Sequence, residues 1–210
     1  MIIRKATKDD IPFIADAIIE IENTSESNTY NNLFGCDTST TKEYLEQFLL
    51  DEENLDTELS LNTYCIVEIE GERAGCCSLF FTDSNYHQNK SELFPIHLKK
   101  EHLENFIKNV KTLPDTKEIS KNKYFLEYLF VDKKFRGYGV SKILIEHLAS
   151  QTDRLYLIPL ETNTFAIDYY FRLGFVENET VKKFLIDRDE NPIYPHDYKI
   201  MLYRNQEKKI

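Results

Sequence analysis

The chain has 210 residues, 41% of them hydrophobic, which suits one compact domain with a sizeable core. No run approaches the roughly 18 apolar residues that cross a bilayer, and the start MIIRKATKDD lacks the apolar core of a secretory signal, so a cytoplasmic protein with no membrane partner is expected. A formal net charge of −10 without a basic patch argues against a nucleic-acid partner and suits a cationic or amine-bearing one.

Residues 1–5 read as a short first strand. Thr7, with Asp9 and Asp10 behind it, makes a helix start, and Ile11, Ile14, Ile18 and Ile21 then recur at helical spacing. Residues 23–39, polar and rich in Ser, Thr and Asn, read as a loop, and Leu45, Phe48 and Leu49 suggest a second helix around 41–50. The runs 64–69 and 73–81 flank Glu70-Gly71-Glu72 as an antiparallel hairpin. Cys76 and Cys77 then point to opposite faces of one strand and cannot share an ion; with Cys36 and Cys65 they read as buried, reduced thiols, and no metal is expected. Leu103, Phe106, Ile107 and Val110 mark a helix within 84–122, a segment taken, like 23–62, as an elaboration of a single domain spanning 1–210. His97 and His102 lie five apart, so on that helix they diverge and make a poor metal pair.

Residues 124–131 (YFLEYLFV) form a strand dense in aromatic and branched side chains. The turn DKKFRGYG follows, then a helix from Val140 to about Ser150 with Val140, Ile143, Leu144, His147 and Leu148 on its apolar face. A strand at 155–160 and a helix at 166–173 come next; strand, helix, strand argues for a parallel pair joined by a crossover. Residues 181–186 and 198–203 close the chain as two strands around a turn at 187–192, where His196 and Asp197 belong to a solvated hairpin.

Arg136, Gly137, Tyr138, Gly139, Val140 and Ser141 lie between a strand and a helix. Glycines there let the backbone approach a ligand, the helix N-terminus offers unpaired N–H groups, and Arg136 adds a cation: together, a pyrophosphate site. A Gly-x-Gly at a tight turn also arises as plain turn chemistry, and this one is neither the dinucleotide fingerprint nor a Walker loop.

The segment resembles the cofactor motif of the GNAT acetyltransferases, Arg/Gln-x-x-Gly-x-Gly/Ala, with Arg136, Gly139 and Ser141 at its fixed positions. Ser141 departs from Gly/Ala. A second similarity follows in order, Asn163-x-x-Ala166-x-x-x-Tyr170-x-x-x-Gly174-Phe175, and the opening IIRKATKDDIPFI looks like the family's first strand and helix. The resemblance implies an α/β (α+β) fold: a mixed, mostly antiparallel central sheet, splayed parallel strands 4 and 5, and helices on both faces. It implies acetyl-CoA as acyl donor, with the pantetheine arm pairing to the backbone of Leu129, Phe130 and Val131. Pro159, where the family has an aliphatic residue, lacks an N–H and is tolerated only if pairing there is already broken.

The same resemblance gives roles to side chains. Glu127, which alternates with Leu129 and Val131 and so shares their face, matches a glutamate that deprotonates the amine; a structural ion pair is the alternative. Tyr170 matches the tyrosine that protonates or hydrogen-bonds the departing CoA sulfur; an aromatic pair such as Tyr169 and Tyr170 on a helix is also commonly core, and register alone favours Tyr170. Asn163 matches a cofactor-binding residue, yet as a helix cap it would look the same. The implied activity is direct acetyl transfer to a primary amine, on a small molecule or peptide, by a monomer or homodimer. A non-catalytic acyl-CoA sensor with the same loop is the rival reading.

Overall fold

The computed structural model describes residues 1–23, 28–113, 117–178, 183–185 and 198–206. The first strand, β1 (Ile2–Lys5), leads through a 3-10 turn into α1 (Ile11–Asn23). Two further helices, α2 (Thr29–Phe34) and α3 (Thr38–Leu50), precede the hairpin β2 (Tyr64–Ile69) and β3 (Glu72–Phe81). Next come α4 (Tyr86–His97), α5 (Lys100–Asn109) and the short α6 (Lys117–Ser120), then β4 (Tyr124–Val131), α7 (Val140–Ala149), β5 (Arg154–Leu157) and α8 (Thr164–Arg172). The described chain closes with β6 (Val176–Glu177), β7 (Lys183–Leu185), β8 (Tyr198–Ile200) and β9 (Leu202–Asn205).

The main sheet runs β1-β2-β3-β4-β5-β9-β6, and β4–β5 is its parallel pair among antiparallel neighbours. This is the mixed, mostly antiparallel architecture expected. Its two faces carry separate cores. Ile14 and Ile18 of α1, Phe34, Phe48 and Phe94 pack with Ile66, Cys76 and Tyr128 on one face. On the other, Leu144, Ile145 and Leu148 of α7 and Ile167 of α8 pack with Val67, Cys77, Leu126 and Leu155. Cys76 and Cys77 thus do face opposite cores; Cys65 meets Cys77 across the hairpin, thiol to thiol, at 3.5 Å. No described helix is long and apolar enough to cross a membrane.

A buried carboxylate ties the first strand and α1 to the hairpin. Asp10 is fully buried and accepts from Arg4 (2.6 and 2.9 Å), from Arg73 (2.6 Å) and from the Thr7 N–H (2.8 Å). Burial alone would push this carboxyl up, but the two guanidiniums and Thr7 hold it well below the usual carboxylate range.

Several expectations change. Residues 29–34 of the expected loop form α2, stopped by Gly35 in a left-handed conformation (φ 65°). The segment 84–122 holds α4 as well as α5; α4 was hidden by Pro95 and by burying Tyr86, Leu93 and Phe94 without a clear stripe. His97 and His102 therefore sit on different helices, bound to Asp51 and Tyr44, each at 2.7 Å. β5 stops at Leu157, two residues before Pro159, whose carbonyl accepts from the Ile200 N–H at 3.0 Å. The run 198–203 breaks at Met201, so β8 pairs with β7 in a small second sheet while β9 enters the main one. On α7, His147 is exposed and Ile145 takes a core position instead. The turn at 187–192, His196 and Asp197 lie outside the described residues.

The two elaborations are one layer. The Phe34 ring meets those of Tyr44, Phe48, Phe94 and Phe106, with centroids 6.0 to 6.2 Å apart. Asn105 and Asn109 donate to the carbonyls of Phe34 and Asn32, capping the end of α2. All of this covers the α1 side of the sheet.

Candidate active site

β4 is the strand on which the site turns, and it carries a bulge. Its register with β3 steps from Cys76↔Phe130 to Ser78↔Glu127, so Tyr128 and Leu129 both stand across from Cys77. Tyr128 is left-handed there (φ 53°), which for a residue with a Cβ costs about 1–2 kcal/mol. Burial holds it, and its hydroxyl is 2.7 Å from that of Tyr30 on α2.

The bulge changes which residues share a face. Leu126, Leu129 and Val131 pack toward α7, whereas Tyr128 and Phe130 pack toward α1. Glu127 is the cross-strand partner of Ser78, itself the partner of the buried Tyr64, so Glu127 belongs to the α1 side. The expectation that it shares a face with Leu129 and Val131 fails, because one extra residue inverts the alternation. Glu127 is half-buried.

Beside β4 the sheet opens. The ladder to β5 holds two pairs, Tyr124↔Leu155 and Phe125↔Tyr156, and then ends. Among the described residues no strand pairs with Leu129, Phe130 and Val131 on that side, as a splayed pair requires.

The strand leads into the glycine loop. Asp132 accepts from the Lys134 N–H at 2.8 Å and starts a 3-10 turn that buries Phe135. Gly137 (φ 89°) and Gly139 (φ 80°) follow, the latter capping α7. A Cβ on either would meet nothing within 4 Å, so conformation, not crowding, calls for glycine, and the space above the loop is open. Behind that space lie the first N–H groups of α7, which have no intrahelical partner. Arg136 is exposed, 3.4 Å from Glu20 of α1, and Lys133 also reaches Glu20 at 3.6 Å. Tyr138 is exposed; the Val140 side chain is buried, leaving only its backbone for a ligand. This open cradle of N–H groups and cations, continuous with an unpaired strand edge, fits the diphosphate and arm of CoA.

Ser141 does not face the open space alone. Its hydroxyl is 2.6 Å from that of Tyr169 on α8. Tyr170, one residue on, packs edge-on against Phe175 at 5.5 Å. Burial first, then the charge of Glu127, pushes its phenol up from the usual value, so it stays protonated at neutral pH. Its hydroxyl makes no hydrogen bond to a described residue. Asn163 caps α8, its Oδ1 accepting from the Ala166 N–H at 3.2 Å, which leaves its amide donors for other partners.

Three features escaped sequence reasoning. The Ser141–Tyr169 bond joins residues 28 apart. Glu20 looked like any exposed helix carboxylate. Gly75 reads as an ordinary strand glycine, yet a Cβ there would lie 2.5 Å from the Phe130 carbonyl and 2.8 Å from Val140 Cγ1. It lets α7 start directly against the sheet.

An antiparallel sheet with one splayed parallel pair, and a left-handed glycine loop feeding a helix at the split, give the chain the fold of known N-acetyltransferases. Residues 27–175 match the acetyltransferase (GNAT) family, and the chain belongs to it. A probable spermine N(1)-acetyltransferase of Bacillus subtilis subsp. natto is 39% identical over 72 residues, 31% of this chain and 47% of that protein. The match thus spans about half of that relative's length. Among solved structures, an N-acetyltransferase from Staphylococcus aureus Mu50 superposes with a TM-score of 0.70 at 16% identity, over 97% of this chain and 100% of that one. A ribosomal-protein-alanine N-acetyltransferase from Brucella melitensis gives 0.54 at 17% identity, covering 98% and 99%. At these identities the likeness concerns the fold.

Proposed function

We propose that this chain is one acetyltransferase domain that uses acetyl-CoA to acetylate a primary amine. The observation that carries the reading is the continuity of the open β4 edge with the glycine cradle at the start of α7. Arg136 and the backbone of Gly137, Tyr138, Gly139, Val140 and Ser141 hold the diphosphate. The backbone of Leu129, Phe130 and Val131 pairs with the arm, and Asn163 offers its amide. Bound there, acetyl-CoA supplies the acetyl group as a thioester.

An alkyl ammonium has a pKa near ~10.4 and must lose a proton before it can attack a carbonyl. Glu127 takes that proton, directly or through water, from the α1 side to which the bulge turns it. A main-chain N–H near Val131 polarises the thioester carbonyl. Tyr170 returns a proton to the departing thiolate; its hydroxyl makes no hydrogen bond to a described residue, and its raised pKa keeps the proton in place until then. No covalent enzyme intermediate is needed.

The acceptor is cationic on this reading. The chain is strongly acidic, and Glu22, Glu58 and Glu127 all bear on the buried Tyr128. Since the curated relative is named for spermine, polyamines head the panel of amines to test.

Calorimetric titration with CoA comes first, then thiol release across that panel. Glu127→Gln is expected to leave CoA affinity nearly unchanged and to lower kcat on the order of 10²–10⁴-fold. Unchanged turnover removes Glu127 from the chemistry. Binding without turnover of any amine replaces the enzyme with a sensor, and absence of CoA binding ends both readings.

A further inference from the structure

We propose that Tyr169 is a cofactor-positioning residue, which through its bond to Ser141 fixes the distance between the phosphate-binding start of α7 and the stretch of α8 that carries Tyr170. This rests on the acetyl-CoA reading above.

The geometry is specific. Ser141 is the second residue of α7, two beyond Gly139, and stands where the family motif has Gly or Ala. Tyr169 is half-buried, packed against the α7-side core, with its hydroxyl 2.6 Å from the Ser141 hydroxyl. Its ring lies 6.1 Å from that of Tyr170, and the Arg172 guanidinium, on the same helix, lies 5.9 Å from the centre of the Tyr169 ring. Ser141 is thus a polar choice in a glycine-lined turn whose hydroxyl is answered from the facing helix.

The two helices flank opposite ends of one elongated ligand. CoA is long, and it gains full affinity only if the diphosphate cradle and the thiol end are correctly spaced. The apolar cluster that holds Ile167, Leu144 and Leu148 sets that spacing coarsely, since apolar contacts are non-directional. A hydroxyl–hydroxyl bond has a preferred distance and angle, so it sets the spacing finely. Tyr169 therefore acts through Ser141 and not on the reacting atoms.

The test uses Tyr169→Phe, Ser141→Ala and the double variant, titrated calorimetrically with CoA and, separately, with adenosine diphosphate. Each single change is expected to raise the Kd for CoA about 3–10-fold, the value of one neutral hydrogen bond. The double variant should match either single within about twofold, because all three lack the same bond. Adenosine diphosphate, which occupies only the cradle, should bind Tyr169→Phe as it binds the wild type. A lower melting temperature with unchanged CoA affinity would reduce Tyr169 to a structural contact and overturn the proposal. A parallel loss of diphosphate affinity would overturn it in favour of direct phosphate contact, and multiplicative single effects would show independent roles. A wild-type chain that binds no CoA would instead sink the cofactor reading itself, and that result is told apart before any variant is compared.

Discussion

Replacing Gly139 with alanine separates what the loop needs in order to fold from what it needs in order to hold a ligand. Gly139 is left-handed (φ 80°, ψ 11°) at the cap of α7, and a Cβ there would meet no atom within 4 Å. The cost to the fold is therefore conformational, about 1–2 kcal/mol, or roughly 2–8 °C in Tm for a chain of this size. The methyl group would, however, stand in the open space before the first N–H groups of α7. Keeping a diphosphate from two such donors forfeits two charge-assisted hydrogen bonds at about 1.5–3 kcal/mol each, so the Kd for CoA should rise at least ~100-fold.

Gly71 supplies the control. It is also left-handed (φ 82°) with nothing within 4 Å of an added Cβ, but it sits in the β2–β3 turn. Gly71→Ala should lose a similar amount of stability and bind CoA as wild type does. Thermal melts and calorimetric titrations of both variants decide the matter. If Gly139→Ala binds CoA no worse than Gly71→Ala, the open space at the loop is not where the diphosphate lies.

Three further outcomes are expected. Gly75→Ala sets a methyl against the Phe130 carbonyl and Val140; such overpacking costs about 1–3 kcal/mol, so its melting temperature should fall, and an unchanged melt would mean α7 does not approach the sheet so closely. Asp10→Asn should be less stable than wild type at pH 7 by about 2–3 kcal/mol, since charge-assisted bonds are lost while both guanidiniums keep partial access to water. Because the Asp10 carboxyl is depressed in the folded protein, its contribution is complete above about pH 4 and is lost as the pH falls below that value; the gap between wild type and variant in urea melts should narrow there, and a constant gap would refute the linkage. Tyr30→Phe leaves the Tyr128 hydroxyl buried without its partner, at about 1–3 kcal/mol, and Tyr30→Phe with Tyr128→Phe should recover part of that loss; faster amide exchange at Tyr128 and Leu129 in the single variant is the second readout.

What was legible in the sequence was local. β4, the loop through Gly139 and α7 are consecutive, and each announces itself by composition or period, so this strand, turn and helix could be placed from residues alone. The bulge could not. It is a mismatch in count between β3 and β4, visible only when Cys77 is found opposite both Tyr128 and Leu129. Strict alternation then assigned Glu127 to the wrong face. α2 was hidden by its six residues and polar composition, and what holds it is tertiary: Phe34 sits among four rings from α3, α4 and α5, and the amides of Asn105 and Asn109 reach it from more than 70 positions away. Pro159 was read correctly as incompatible with a closed ladder, but the strand had already ended.

The bulge also accounts for how one strand serves two layers. In regular β4, residues 127, 129 and 131 would all face α7 and α8, leaving Tyr128 and Phe130 for the other side. The extra residue instead gives two consecutive side chains, Glu127 and Tyr128, to the α1 face, while Leu129 and Val131 stay with α7. On the α1 side lies the layer built by α2, α3, α4 and α5, the parts of the chain outside the motifs shared with the family. On the α7 side lie the glycine loop, Ser141, Tyr169 and Tyr170. If Glu127 is the base, the proton leaves the amine on the side of the helical layer, and on the proposed reading the cofactor is held on the other. Acceptor choice can then change with the helical layer without disturbing the cradle, and Tyr30, bonded to Tyr128 at the bulge, is where the two layers meet.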